Sequence, residues 1–270
     1  MNFGNGYRLK KNNLGRFIGF LNAFYGGLVG WSLAKLDKNY EGFAIMARRS
    51  GDNAEIGIGF DKGDLNIEVL EEFADGNDVF VSIIYDQIGS NDFEQTDAAL
   101  QGQIVSNGNV ILKNGKPCII RSANNNGGYL SSFAPNDGVP VKGMFYVGDN
   151  EGKQSCVFGS NIGAADYGFI VYESATSNNI DSNPTITKSK INGSTTTFTT
   201  REEAYNATNF QFLMYREIEF NFDNNFLGLG YRESDPAAFG MFTFQELVIF
   251  NNTNDATEKQ NNRNAYFNIY

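Results

Sequence analysis

The chain has 270 residues, among them 30 Gly, 24 Phe, 5 Pro, one Trp, two Cys and no His, and a formal charge of −10 at pH 7. Without His there is no Ser-His-Asp or Cys-His nucleophile, no His-based metal site and no imidazole titrating near neutrality, so any catalysis rests on carboxylates, Tyr, Lys or Cys. The acidic balance excludes nucleic acid as the expected partner, and the length suits one large all-β domain.

The charge is uneven along the chain. Residues 1–49 carry Arg8, Lys10, Lys11, Arg16, Lys35, Lys38, Arg48 and Arg49 against Asp37 and Glu41, a balance of +6 that leaves −16 for the remainder. Within this part, residues 17–33 form an apolar stretch interrupted by Asn22 and several glycines, too short and broken for a membrane span. It reads as an N-terminal arm over 1–30 that attaches or oligomerises the protein, with a cleaved signal peptide as the alternative. The domain proper is then expected over 31–270.

Helical signals are few. Residues 31–40 have loosely helical apolar spacing. Residues 65–74 read as a short helix capped by Asp64 and ended by Gly76, and 254–268 as a C-terminal helix opened by a capping box from Asp255 to Glu258. Between them lie strand-like runs, at 43–49, 55–60, 79–85, 109–113, 117–121, 142–148, 167–173, 210–221 and 239–250, separated by Gly, Asn and Asp clusters. Asn114-Gly115 is a hairpin turn that demands positive φ at both positions. In 210–221, Ile218 and Phe220 alternate with Glu217 and Glu219, as in a half-exposed antiparallel strand. Residues 122–138 and 174–209 read as polar loops. Cys118 and Cys156 sit in apolar runs and read as buried thiols more readily than as a disulfide. Strands at this spacing without interleaved helices make a sandwich or jelly roll.

Four stretches resemble a known family. Trp31-Ser-Leu-Ala-Lys-Leu-Asp-Lys-Asn-Tyr-Glu-Gly with Ile45-Met-Ala-Arg-Arg-Ser-Gly-Asp-Asn-Ala-Glu, then Val81-Ser-Ile-Ile-Tyr-Asp-Gln-Ile-Gly-Ser-Asn-Asp, then Asn109-Val-Ile-Leu-Lys-Asn-Gly-Lys-Pro, and finally Phe242-Thr-Phe-Gln-Glu-Leu-Val-Ile-Phe through Tyr270 carry it. They are similar to the concanavalin A-like module typified by arabinofuranosidase B catalytic domains, whose relatives occur in bacteriophage virion proteins and bacterial adhesins. The resemblance implies a concanavalin A-like β-sandwich, or jelly roll, with a few short helices and a C-terminal helix. For the enzymes it also implies a retaining mechanism, which needs two carboxylates about 5 Å apart. The stretches that would carry them do not match. Cys156-Val-Phe-Gly-Ser-Asn-Ile-Gly has no carboxylate before Asp166, and Leu227-Gly-Leu-Gly is followed by Tyr231 and Arg232, leaving Glu233 or Asp235 as displaced substitutes. Without the nucleophile the covalent step is lost.

Asp86 and Gln87, after an apolar strand, read as partners for backbone donors in the next turn rather than as catalytic groups. Asp149-Asn150-Glu151 and Asp223-Asn224-Asn225 are acid and amide clusters without EF-hand spacing, and no metal or cofactor is expected. Gly57-Ile-Gly lies inside a strand pattern and lacks the context of a phosphate loop. Loop aromatics and polar groups, namely Tyr129, Phe133, Tyr231, Arg232, Glu233 and Asp235, are the candidates for contacting sugar rings. The expected function is a non-catalytic structural or adhesin subunit of a bacteriophage virion. It is held to other virion proteins through its arm, forms a homo-oligomer (a trimer) and reaches cell-surface polysaccharide. An arabinofuranosidase-type hydrolase and a secreted carbohydrate-binding module are the alternatives.

Overall fold

Strand-forming runs in this chain are rich in β-branched and aromatic residues, and the structure pairs them antiparallel into two facing sheets. It is a computed structural model and describes residues 19–121, 128–131, 140–150, 154–160, 168–172, 176, 185–208, 211–220, 227–230 and 242–270. The principal strands are β1 (Gly27–Ser32), β2 (Ile45–Arg49), β3 (Glu55–Ile58), β4 (Val79–Ile84), β5 (Phe93–Glu94), β6 (Gly102–Ser106), β7 (Ile119–Arg121), β8 (Tyr129–Ser131), β9 (Val141–Asp149), β10 (Gln154–Ser160), β11 (Gly168–Tyr172), β12 (Thr185–Ile191), β13 (Phe212–Phe220), β14 (Leu227–Leu229) and β15 (Phe242–Phe250). The helices are α1 (Phe20–Ala23), α2 (Ile67–Ala74), α3 (Arg201–Thr208) and α4 (Ala256–Phe267).

The front sheet runs β3-β2-β4-β5-β8-β14-β10-β11. The back sheet runs β1-β15-β9-β13-β12. They join where β6 pairs with the first half of β4 and with β7, which in turn pairs with the first half of β15. Between them lies a core that includes Trp31, Ile45, Ala47, Val81, Ile84, Phe93, Tyr129, Met144, Tyr146, Phe212, Leu229, Phe242 and Leu247. This is the β-sandwich the strand pattern predicts.

The centre of the back sheet, formed by β15, β9 and the first half of β13, is buried on both faces. Its outer face carries Phe145, Val147, Leu213, Tyr215, Val248 and Phe250, covered by Phe20, Phe24, Leu36 and Phe267 from α1, the 33–36 segment and α4. A bulge lets β15 serve both layers. Gly148 faces Phe244 and Val147 faces Glu246, so Gln245 is the extra residue and Glu246 turns outward toward α4. There Arg263 reaches its carboxylate at 3.0 Å.

Several expectations change. The arm is not 1–30. Phe20, Val29 and Trp31 are buried in the sandwich, β1 pairs with β15, and Phe20 packs edge-on to Phe145 and Phe250, so the domain begins upstream of residue 31. The helix expected over 31–40 is absent, because residues 31–32 complete β1 and the rest turns back. The cap of α2 is Asn66, whose side chain accepts from Val69 N, while Asp64 takes Lys116 Nζ at 2.9 Å and the Tyr266 hydroxyl. Asp255 precedes α4 at φ +56 without a side-chain capping bond, so the capping box does not form. The 174–209 stretch contains β12 and α3, the latter opened by Thr200, which accepts from Glu203 N, and by Glu203, which accepts from Thr199 N at 2.7 Å. The Asn114-Gly115 hairpin has φ of +47 and +74, as its sequence requires.

Candidate functional site

Alpha-helices and aromatic side chains cover the outer face of the back sheet, whereas the outer face of the front sheet is exposed at Phe43, Glu94 and Leu130. Register sets a row across that outer face, since residues directly opposite in antiparallel strands share a face. Gly57 is opposite Met46, Met46 opposite Ile83, Ile83 opposite Glu94, Glu94 opposite Leu130, Leu130 opposite Gly228, Gly228 opposite Gly159 and Gly159 opposite Gly168. The flanking residues Ile45, Ile58, Ile84, Phe93, Tyr129 and Leu229 point the other way and are fully buried. Eight strands at about 4.8 Å spacing make the row roughly 34 Å long. Its middle is apolar, with Glu94 and Leu130 exposed, and it ends in three glycines, of which Gly228 is buried.

At the near end stand two aromatic rings. Phe43 is 48 % exposed and Tyr85 half-buried, with centroids 6.2 Å apart and planes inclined at 49°. Phe43 lies directly on β3, where a Cβ at Gly57 would meet its ring at 2.5 Å. Ser82 donates to Glu55 at 2.9 Å beside them. Burial, then the charges of Asp92, Glu55 and Glu94, raises the Tyr85 hydroxyl above its ordinary value. Burial and then Asp92 and Asp86 push Tyr40, behind Phe43, up to about 12. Along the next row Arg48 stacks on Phe80 at 5.3 Å and donates to Gln101 and Asn53.

Of the residues expected to touch sugar, Tyr129 is corrected by the structure. It is on the inner face of β8, fully buried, donating its hydroxyl to Val81 O at 2.6 Å and accepting from Gly102 N at 2.8 Å. Its neighbour Leu130 is the residue that faces outward. Phe133, Tyr231, Arg232, Glu233 and Asp235 lie outside the described residues, as does the Asp223-Asn224-Asn225 cluster. Asp149 is spent on Lys113 at 2.9 Å, and Cys118 is buried as its apolar run implied. Among the described residues, no group of three His, Cys, Asp or Glu comes together, and no helix is long and apolar enough to cross a membrane.

Asp86 and Gln87 do what their sequence setting suggested. Asp86 accepts from Gly30 N at 2.9 Å, Ile88 N at 3.0 Å and Asn91 N at 3.3 Å. Gln87 accepts from Leu36 N and donates to Ser32 O and Ala34 O. Together they latch the segment after β4 onto β1. Phe43, Tyr85 and Glu94 were missed as site residues. Gly57 was the available signal, since a glycine inside a strand often marks close approach by another group.

No family model and no curated protein matches the chain. Solved structures do. One is an arabinofuranosidase complexed with arabinofuranosyl-α-1,2-xylobiose, 16 % identical with TM-score 0.53, over 87 % of this chain and 61 % of that one. Another is a variant GH54 α-L-arabinofuranosidase soaked with 4-nitrophenyl α-L-arabinofuranoside, 14 % identical with TM-score 0.52, over 87 % and 62 %. The fold is that of the GH54 sandwich. The chain spans about three-fifths of the length of those enzymes.

Proposed function

We propose that this chain is a non-hydrolytic, glycan-binding β-sandwich, carried as an attachment subunit of a bacteriophage particle. The observation that carries the binding reading is the exposed part of the front sheet, where Phe43, Tyr85, Glu94 and Leu130 stand on a fold whose neighbours hold arabinofuranosides. Loss of hydrolysis is argued from sequence, since neither stretch that would supply the paired carboxylates matches. The virion setting rests on the resemblance of the four stretches to the concanavalin A-like module of arabinofuranosidase B, relatives of which occur in such particles. In it, the basic segment before residue 19 joins the other virion proteins and assembles the homo-oligomer, favoured as a trimer, while the acidic body faces the cell-surface polysaccharide.

The test has two arms. The full chain is retarded by neutral polysaccharide in affinity electrophoresis and releases no nitrophenol from 4-nitrophenyl α-L-arabinofuranoside above background. Failure to be retarded by any polysaccharide overturns the binding reading. Because the fold neighbours are hydrolases, hydrolysis is the second reading. Turnover that Glu233→Gln or Asp235→Asn removes would establish it.

A further inference from the structure

We propose that the near end of the exposed face is a sugar-stacking subsite: a ring of a neutral oligosaccharide lies on Phe43, with Tyr85, Glu55 and Glu94 contacting its hydroxyls, and the chain continues along the row toward Leu130. This rests on the glycan-binding reading and adds its location and ligand class.

An exposed Phe is ordinary on a protein surface, but this one is held in place. The turn that presents it is closed by Tyr40 N bonding to Asp37 O at 3.0 Å and by the Tyr40 hydroxyl donating to Phe43 O at 2.8 Å. The next residue is pinned on both sides, with Ala44 N donating to Ile58 O and Tyr85 N to Ala44 O. Gly42 permits the turn, because a Cβ there would meet the Tyr40 hydroxyl at 2.5 Å, and Gly57 lets the ring lie flat on the strand. An apolar ring fixed before binding loses little freedom when a ligand arrives. The C–H face of a sugar ring is the matching surface, since it removes apolar area from water on both sides.

The polar surroundings select the class. Glu55 and Glu94 present acceptors, and Tyr85 presents a hydroxyl, so the site complements hydroxyl groups. The row itself holds no Lys or Arg, Arg48 opposite Glu55 is engaged by Gln101 and Asn53, and residues 19–270 carry −14, so an anionic sugar is repelled. Beyond Glu94 the row offers the exposed side chain of Leu130 as a second apolar surface.

Calorimetry on the full chain, with xylohexaose, cellohexaose, arabinohexaose and mannohexaose as probes and oligogalacturonate as the anionic control, tests this. At least one neutral probe binds, and Phe43→Ala weakens it by roughly tenfold, equivalent to ~1.4 kcal/mol. Gly57→Ala, which displaces the ring without removing it, weakens it comparably, while Leu112→Ala on a distant hairpin does not. Both site variants keep the parent's thermal midpoint to within a few degrees. A neutral probe whose affinity is unchanged in both variants overturns the subsite and leaves glycan binding standing. Oligogalacturonate binding as tightly as the neutral probes overturns the ligand class. If no neutral probe binds, the subsite and the proposed function fall together.

Discussion

Single residues in this protein divide between those that hold the sandwich shut and those that face the open surface, and adjacent positions often differ. Tyr129 is buried and bonded at both ends of its hydroxyl, while Leu130 beside it is exposed. Asp92 sits at the border. Burial, and then the charges of Asp86 and Glu94, raise its carboxyl above the usual range, against the lowering effect of the bond it accepts from Asp86 N. A carboxyl raised on folding contributes most to stability when protonated, below its unfolded pKa of about 3.9, and that contribution is lost as pH rises through the folded value. Asp92→Asn keeps the acceptor for Asp86 N and removes the charge. Urea denaturation should therefore find the variant more stable than the parent at pH 7, with the difference shrinking toward pH 4. An equal or larger advantage at pH 4 would contradict the assignment.

At the scale of elements, α4 is fastened by charge to an aromatic surface. Arg263 stacks on Phe20 at 4.2 Å and bonds Glu246 at 3.0 Å, and Lys259 stacks on Phe250 at 4.1 Å. Glu246 is fully buried, its Oε2 shared by Ser32 and Arg263, and its Oε1 has no partner among the described residues. Removing the cation strands that carboxylate, so Arg263→Met should cost about 3–5 kcal/mol in urea denaturation. Adding Glu246→Gln should restore much of the loss, because the buried charge is gone. If the double variant is no better than Arg263→Met, lost stacking rather than stranded charge is the cause. Little of this was legible beforehand. Periodicity located β9, β13 and β15, but a strand buried on both faces reads as one apolar run and hides its two-layer role. The helix α3 was legible in Thr200-Arg-Glu-Glu203, and the surrounding Ser, Thr and Asn drew attention away from it.

For the whole molecule the main revision concerns where the domain starts. Phe20 and Phe24 complete the cover over the back sheet, and β1 closes its edge against β15. A chain lacking residues 1–18 keeps every described contact and should show the parent's melting temperature by circular dichroism. One lacking residues 1–28 should lose cooperative melting, since it gives up two buried Phe side chains at ~3–5 kcal/mol each by the usual cost of truncation. Equal stability of the two truncations would return residues 19–28 to the arm.

The sequence by itself determined the fold class, the hairpin at Asn114-Gly115 and the backbone-satisfying roles of Asp86 and Gln87, because each depends on local periodicity, φ preference or a short polar motif. Only the tertiary structure decided which residues form the exposed face. Gly57, Glu94, Leu130 and Gly228 come into one row through pairing between strands far apart in the chain, and a one-residue slip in any pair would turn the following strand's side chains over. The same non-local pairing placed Tyr129 inside and Phe43 outside, reversing the part that exposed aromatic content alone had assigned to the loops.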